Sequence, residues 1–144
     1  LIEPSIIDAL AAAFDGDADL KMATVMTEIT DEAEQMNPNN VKVVTDKNGY
    51  ALYFSRSLLP YPRYRKGVPV YKHIGIYAYK REFLLHYAKM APTPLEETEA
   101  LEQLRALENG YRIKVIRTDH RFVGVDTAED LAMVNKIYRQ QGLK

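Results

Sequence analysis

The sequence contains no cysteine and no tryptophan, and only seven glycines and seven prolines in 144 residues. Without a thiol there is no cysteine nucleophile, no cysteine-ligated zinc, no iron–sulfur cluster and no disulfide framework, and a reducing cytoplasm is the expected compartment. No apolar run approaches the roughly 20 residues of a membrane span, and the amino terminus lacks the basic-then-apolar layout of a signal peptide, so a soluble protein is expected. Also missing are a P-loop, a dinucleotide-binding glycine motif, a Gly-x-Ser-x-Gly elbow and a His-Glu-x-x-His pair, which removes several common enzyme classes.

What is present suits one compact domain over residues 1–144: 47% of the residues are apolar and 27% charged, and a chain of this length buries enough surface to need no staple. The sequence opens at Leu1 rather than methionine, and its second residue already reads as the edge of a structural element, so a piece of a longer chain is expected. The net charge of −1 averages two unlike halves. Residues 1–36 carry nine acids against Lys21 alone, whereas the eight cations from Lys47 to Arg81 (Lys47, Arg56, Arg63, Arg65, Lys66, Lys72, Lys80, Arg81) meet no acid. A local positive potential able to attract an anion is expected there, the alternative being a basic loop that pairs with the acidic first segment or is simply solvated.

Periodicity divides the chain into alternating strands and helices. A helix over Pro4–Phe14 is expected from Ile6, Ile7, Leu10 and Phe14, with Gly16 ending it. Leu20–Ile29 is apolar on both faces, as in a strand covered on both sides, and a short acidic helix runs from Asp31 to Met36. Val41–Thr45 and Tyr50–Ser55 form a hairpin around Asn48-Gly49, which supplies positive φ. The Pro-, Tyr- and Arg-rich stretch Leu58–Pro69 is too long for a mere connector. In the strand Tyr71–Tyr79, Tyr71, His73, Gly75, Tyr77 and Tyr79 share one face, and Ile74, Ile76 and Ala78 the other. Helices over Arg81–Met90 and Pro94–Asn109 follow, the second capped by Gly110, then strands over Arg112–Thr118 and Phe122–Val125. A last helix begins at Thr127, with Leu131, Val134 and Tyr138 as its buried stripe. The pattern predicts an α/β layered domain, its mostly parallel sheet carrying an inserted antiparallel hairpin.

Several residues are positioned for chemistry. Asp126 closes a strand before a helix, where a carboxylate holds Mg²⁺ or simply favours the helix dipole. His73 sits on the tyrosine-rich face, able to donate a hydrogen bond to a polar ligand or to serve as a satisfied structural histidine. Glu102 and Gln103 flank the leucine stripe of their helix, within reach of sugar-like hydroxyls, unless Glu102 merely pairs with Arg105. Arg56 ends a strand, as a fork for a carboxylate or phosphate or as a surface cation. His86 and His120 lack partners at ligand spacing.

Four blocks, in order, resemble the family of cytidylyltransferases acting on 3-deoxy-manno-octulosonate, in its carboxyl-terminal portion. They are Ala51-Leu52-Tyr53-Phe54-Ser55-Arg56; His73-Ile74-Gly75-Ile76-Tyr77-Ala78-Tyr79; Pro94-Leu95-Glu96 leading into Leu101-Glu102-Gln103-Leu104-Arg105; and Gly124-Val125-Asp126-Thr127 with Glu129-Asp130-Leu131. The likeness spans nearly the whole chain. It implies a nucleotide-diphospho-sugar transferase-like fold, lacking the amino-terminal nucleotide-binding portion, and transfer of CMP from CTP to the eight-carbon sugar acid with release of pyrophosphate, in lipopolysaccharide biosynthesis. It further implies that Arg56, His73, Tyr77, Glu102 and Gln103 contact the sugar acid, Arg56 facing its carboxylate, that Asp126 holds Mg²⁺, and that the enzyme is a homodimer. No catalytic residue beyond the metal ligand is identified. The piece alone is expected to be inactive. Two other readings stand beside this one: a cytidylyltransferase for another acidic sugar of the sialic acid type, and a non-catalytic anion-binding or assembly module. Neither nucleic acid nor membrane is an expected partner.

Overall fold

The protein is described from a computed structural model covering residues 2–64, 67–120 and 128–140. Six helices and five strands follow one another as α1 (Pro4–Ala12), β1 (Met22–Ile29), α2 (Glu32–Met36), β2 (Lys42–Thr45), β3 (Ala51–Ser55), β4 (Val70–Tyr79), α3 (Arg81–Tyr87), α4 (Pro94–Glu99), α5 (Gln103–Glu108), β5 (Ile113–Thr118) and α6 (Ala128–Gln140). The strands form one sheet in the order β3-β2-β4-β1-β5. The layered α/β class and the inserted hairpin are as expected, with Gly49 at φ +80° in the hairpin turn. Among the described residues the sheet is mixed rather than mostly parallel. Only β1 and β5 run parallel, because β4 returns antiparallel between β1 and the hairpin.

Alternation along the strands gives the sheet two buried faces. On one face, Met22, Met26, Val43, Phe54, Ile113 and Val115 pack with Phe83 and Tyr87 of α3, Leu101, and Leu104 and Ala106 of α5. On the other, Ala23 and Val25 pack with Leu20 and with Ile6 and Leu10 of α1, joined by Ile74, Ile76, Ala78 and Ile116. Each large side chain so buried contributes about 1.5–3 kcal/mol. Ile7 is exposed, since the α1 stripe follows Ile6, Leu10 and Ala13 at a spacing of three to four residues.

Three features depart from the sequence reading. The helix expected over Pro94–Asn109 is broken in two: Ala100 adopts φ +52°, and the amide of Leu101 bonds back to the Glu96 carbonyl. The cause is tertiary. Arg56 Nε donates to the carbonyl of Glu99 (2.7 Å) and its NH2 to that of Ala100 (3.2 Å), holding the carbonyls that a continuous helix would have consumed. Across the break, Arg105 forks onto both oxygens of Glu96 (2.5 and 2.7 Å), which holds that carboxyl below the usual carboxylate range. Glu102, the partner expected from helical spacing, also pairs with Arg105, at 4.0 Å. Finally, of the expected buried stripe of α6, Leu131 and Tyr138 are exposed. The strand expected over Phe122–Val125, the helix start at Thr127 and Asp126 lie outside the described residues.

Candidate functional site

β4 carries the aromatic side of the site. Its register with β1 slips between Thr24 and Val25, leaving Gly75 and Ile76 as a two-residue bulge. His73 and Tyr77, on either side of the bulge, thereby stay on one face, their rings 5.4 Å apart. Phe54 meets the His73 ring edge-on at 5.0 Å, and Tyr79 stacks on Tyr77 at 5.8 Å. Burial pulls the His73 imidazole down to about 4, so it is neutral at physiological pH. Burial likewise pushes Tyr79 up to about 12 and raises Tyr77, keeping both phenols protonated. No protein group among the described residues hydrogen-bonds the Tyr77 hydroxyl.

The other side is the start of α5. The Tyr87 hydroxyl donates to the backbone carbonyl of Glu102 (2.6 Å), tying that turn to α3. The Glu102 carboxylate projects into solvent, and its negative charge contributes to raising Tyr77, Tyr79 and Tyr87. Gln103 is 4% exposed, and its Nε2 is buried without a hydrogen-bond partner. Leaving such a group unpaired costs about 1–3 kcal/mol, a deficit that a ligand hydroxyl or carboxylate would remove.

His73 and Tyr77 are thus brought together, and Glu102 is linked to them through Tyr87 and the Tyr79 stack, with Gln103 next in the chain. Arg56 enters only through the backbone. Three of its five N–H donors go to the carbonyls of Glu99, Ala100 and Pro38, the last at 3.1 Å, leaving two for a ligand. The Glu99 carboxylate closes this junction, accepting from Ser55 Oγ (2.6 Å) and the Arg56 amide (3.0 Å). Sequence reasoning missed Lys42. It is wholly buried in β2, with Nζ donating to the carbonyls of Asn37 (3.0 Å) and Asn40 (2.5 Å), and desolvation pulls its ammonium below the usual lysine value. No spacing signal marks it, because its partners are backbone groups of a loop.

Three of the eight cations of the middle segment have individual partners among the described residues. Lys80 donates to the Ala18 carbonyl (2.6 Å), Arg56 is engaged as above, and Arg63 lies over the Tyr64 ring; Arg65 and Lys66 fall outside the described residues. A cleft of about 510 Å³ runs along the 58–68 loop, lined by Pro60, Tyr61, Arg63, Tyr64 and Val68, and shares no residue with the His73 group. Among the described residues no three His, Asp or Glu side chains converge to hold a metal ion, and no helix is long and apolar enough to cross a membrane.

The Cytidylyltransferase family matches residues 1–115, and the chain belongs to that family. Within it the chain is similar to the 3-deoxy-manno-octulosonate cytidylyltransferases of Fusobacterium nucleatum subsp. nucleatum, 54% identical over 144 residues, and of Solibacter usitatus, 48% identical over 140. These matches cover 100% and 96% of the chain, but the chain spans only 59% and 56% of those relatives' lengths. A solved structure of CMP:2-keto-3-deoxy-manno-octonic acid synthetase complexed with CTP superposes with a TM-score of 0.91 at 37% identity, covering 97% of this chain and 58% of the other.

Proposed function

We propose that this chain is the sugar-acid-binding part of a 3-deoxy-manno-octulosonate cytidylyltransferase, a nucleotidyltransferase that moves CMP from CTP onto the sugar acid and releases pyrophosphate. Two observations support the reading, the buried, unpaired amide of Gln103, next in the chain to Glu102, and the His73–Tyr77 ring pair, in a family whose similar members bear that name. A polyhydroxylated acid suits this set, in which a phenol hydroxyl donates, a neutral imidazole accepts and an amide N–H₂ donates. Arg56 keeps two N–H groups for the sugar carboxylate. The proposal includes a homodimer in the cytoplasm, working in lipopolysaccharide synthesis.

Mg²⁺ belongs to the proposal as the expected cofactor, with Asp126 as the ligand this chain would contribute. Asp126 lies outside the described residues, and among those described no three His, Asp or Glu side chains converge. In-line attack by a sugar hydroxyl on the α-phosphorus depends on positioning, and the residues described here act on the sugar alone.

Titration of the 144-residue chain with 3-deoxy-manno-octulosonate and with N-acetylneuraminate tests the reading. Saturable binding of the first and none of the second is expected; preference for neuraminate would transfer the assignment to the sialic acid type. Gln103→Leu is expected to weaken binding about tenfold while leaving stability unchanged or up to about 1 kcal/mol higher, since it also removes an unpaired buried donor. Pyrophosphate release from CTP and the sugar acid by the 144-residue chain should stay below about one-hundredth of that of the Fusobacterium relative, equivalent to a loss of about 3 kcal/mol in transition-state stabilisation. Comparable turnover would show that the sugar-binding part suffices.

A further inference from the structure

Thr24 is the third residue of β1 and has no exposed surface, flanked by the buried Met22, Ala23, Val25 and Met26. A buried hydroxyl costs stability unless it is hydrogen-bonded, and this one faces the bulge of β4. Its Oγ1 is 2.8 Å from the Ile76 carbonyl, 3.2 Å from that of Ile74 and 2.9 Å from His73 Nε2. A hydroxyl has one proton and two lone pairs. The shortest contact places the proton on the Ile76 carbonyl, so the contact with the ring is one in which Nε2–H donates to Oγ1. Nδ1 is then the unprotonated nitrogen, and it has no hydrogen bond among the described residues.

We propose that Thr24 is a positioning residue that fixes the tautomer of His73, so that the ring presents Nδ1 as an acceptor for a hydroxyl of the bound sugar acid. The inference rests on the sugar acid binding beside His73, as proposed above. It gives the bulge a purpose, since a regular β4 would direct the Ile76 carbonyl into the strand ladder instead of towards the side chain of Thr24. It also assigns selectivity: an acceptor at Nδ1 favours a hydroxyl over a carboxylate, leaving the carboxylate to Arg56 and Gln103.

The test is ¹⁵N NMR of the 144-residue chain with labelled histidine. In the unsubstituted chain the proton should sit on Nε2, and addition of 3-deoxy-manno-octulosonate should move the Nδ1 resonance and leave Nε2 in place. Thr24→Val should release the ring into a mixture of tautomers and weaken binding about tenfold, the size of one hydrogen bond left unmade. Thr24→Ser should restore both. A proton found on Nδ1 in the unsubstituted chain overturns the proposal whatever the variants do, as does a Thr24→Val protein that folds with its tautomer unchanged. Absence of any sugar-acid binding by the unsubstituted chain sinks the functional reading instead, and the tautomer measurements still decide the part played by Thr24.

Discussion

Arg56→Ala is expected to lower the stability of the chain by about 3 kcal/mol, read as a shift in the urea midpoint at neutral pH. The guanidinium donates to carbonyls from the 37–40 loop (Pro38) and from the α4–α5 break (Glu99, Ala100), while its own amide binds the Glu99 carboxylate. Each of these side-chain bonds is charge-assisted, worth about 1.5–3 kcal/mol when shielded and less where solvent reaches it. Alanine removes all three and leaves Ala100 in a left-handed conformation with nothing holding the preceding carbonyls. Arg56→Lys should recover less than half of the loss, because a point ammonium cannot serve three acceptors in a plane. A loss below about 1 kcal/mol for Arg56→Ala would make Arg56 a surface cation, free to turn wholly to a ligand.

Acidification is the second large effect. An unfolded histidine titrates near 6.5, whereas burial holds folded His73 at about 4. Between those values the unfolded chain binds the extra proton, so stability is complete above pH 6.5 and falls as pH drops through the window towards 4. The full contribution is about 3 kcal/mol. Glu96 and Asp17, both held below the usual carboxylate range, lose their contributions only at the acidic end of that window and beyond. Urea unfolding at pH 7.5 and 4.5 should therefore show a steeper acid loss in the unsubstituted chain than in His73→Gln. Equal losses would assign the acid sensitivity elsewhere.

Much of the fold is legible wherever the cause is local. Asn48-Gly49 announces its hairpin because the positive φ of Gly49 is a local property, and the alternation of β4 separates His73, Tyr77 and Tyr79 from Ile74, Ile76 and Ala78 without reference to the rest of the chain. Gly110 marks the end of α5 for the same reason. The break at Ala100 is different in kind. Nothing in Pro94–Asn109 disfavours a continuous helix; its cause is an arginine 44 residues upstream, visible only once β3 is set against α4. The pairing of Arg105 with Glu96 across nine residues follows from that break, so helical spacing pointed instead to Glu102. At the site, residue type and family resemblance select His73, Tyr77, Glu102 and Gln103, but neither indicates which nitrogen of His73 carries its proton. That depends on Thr24, which in sequence reads as one more residue of a buried strand.

The bulge in β4 has one further property, and it concerns parity. A strand assigns residues to its two sides by odd and even count, so an insertion of one residue exchanges inside and outside for everything beyond it. Gly75 and Ile76 are two. The count before them and the count after them agree, so the bulge leaves both ends of β4 on their original sides. Deleting Gly75 alone would turn Tyr77 and Tyr79 towards α1 and Ala78 towards α3. Deleting both residues would leave every remaining side chain on its own side but remove the Ile76 side chain from the α1 face together with the carbonyl that receives the hydroxyl of Thr24.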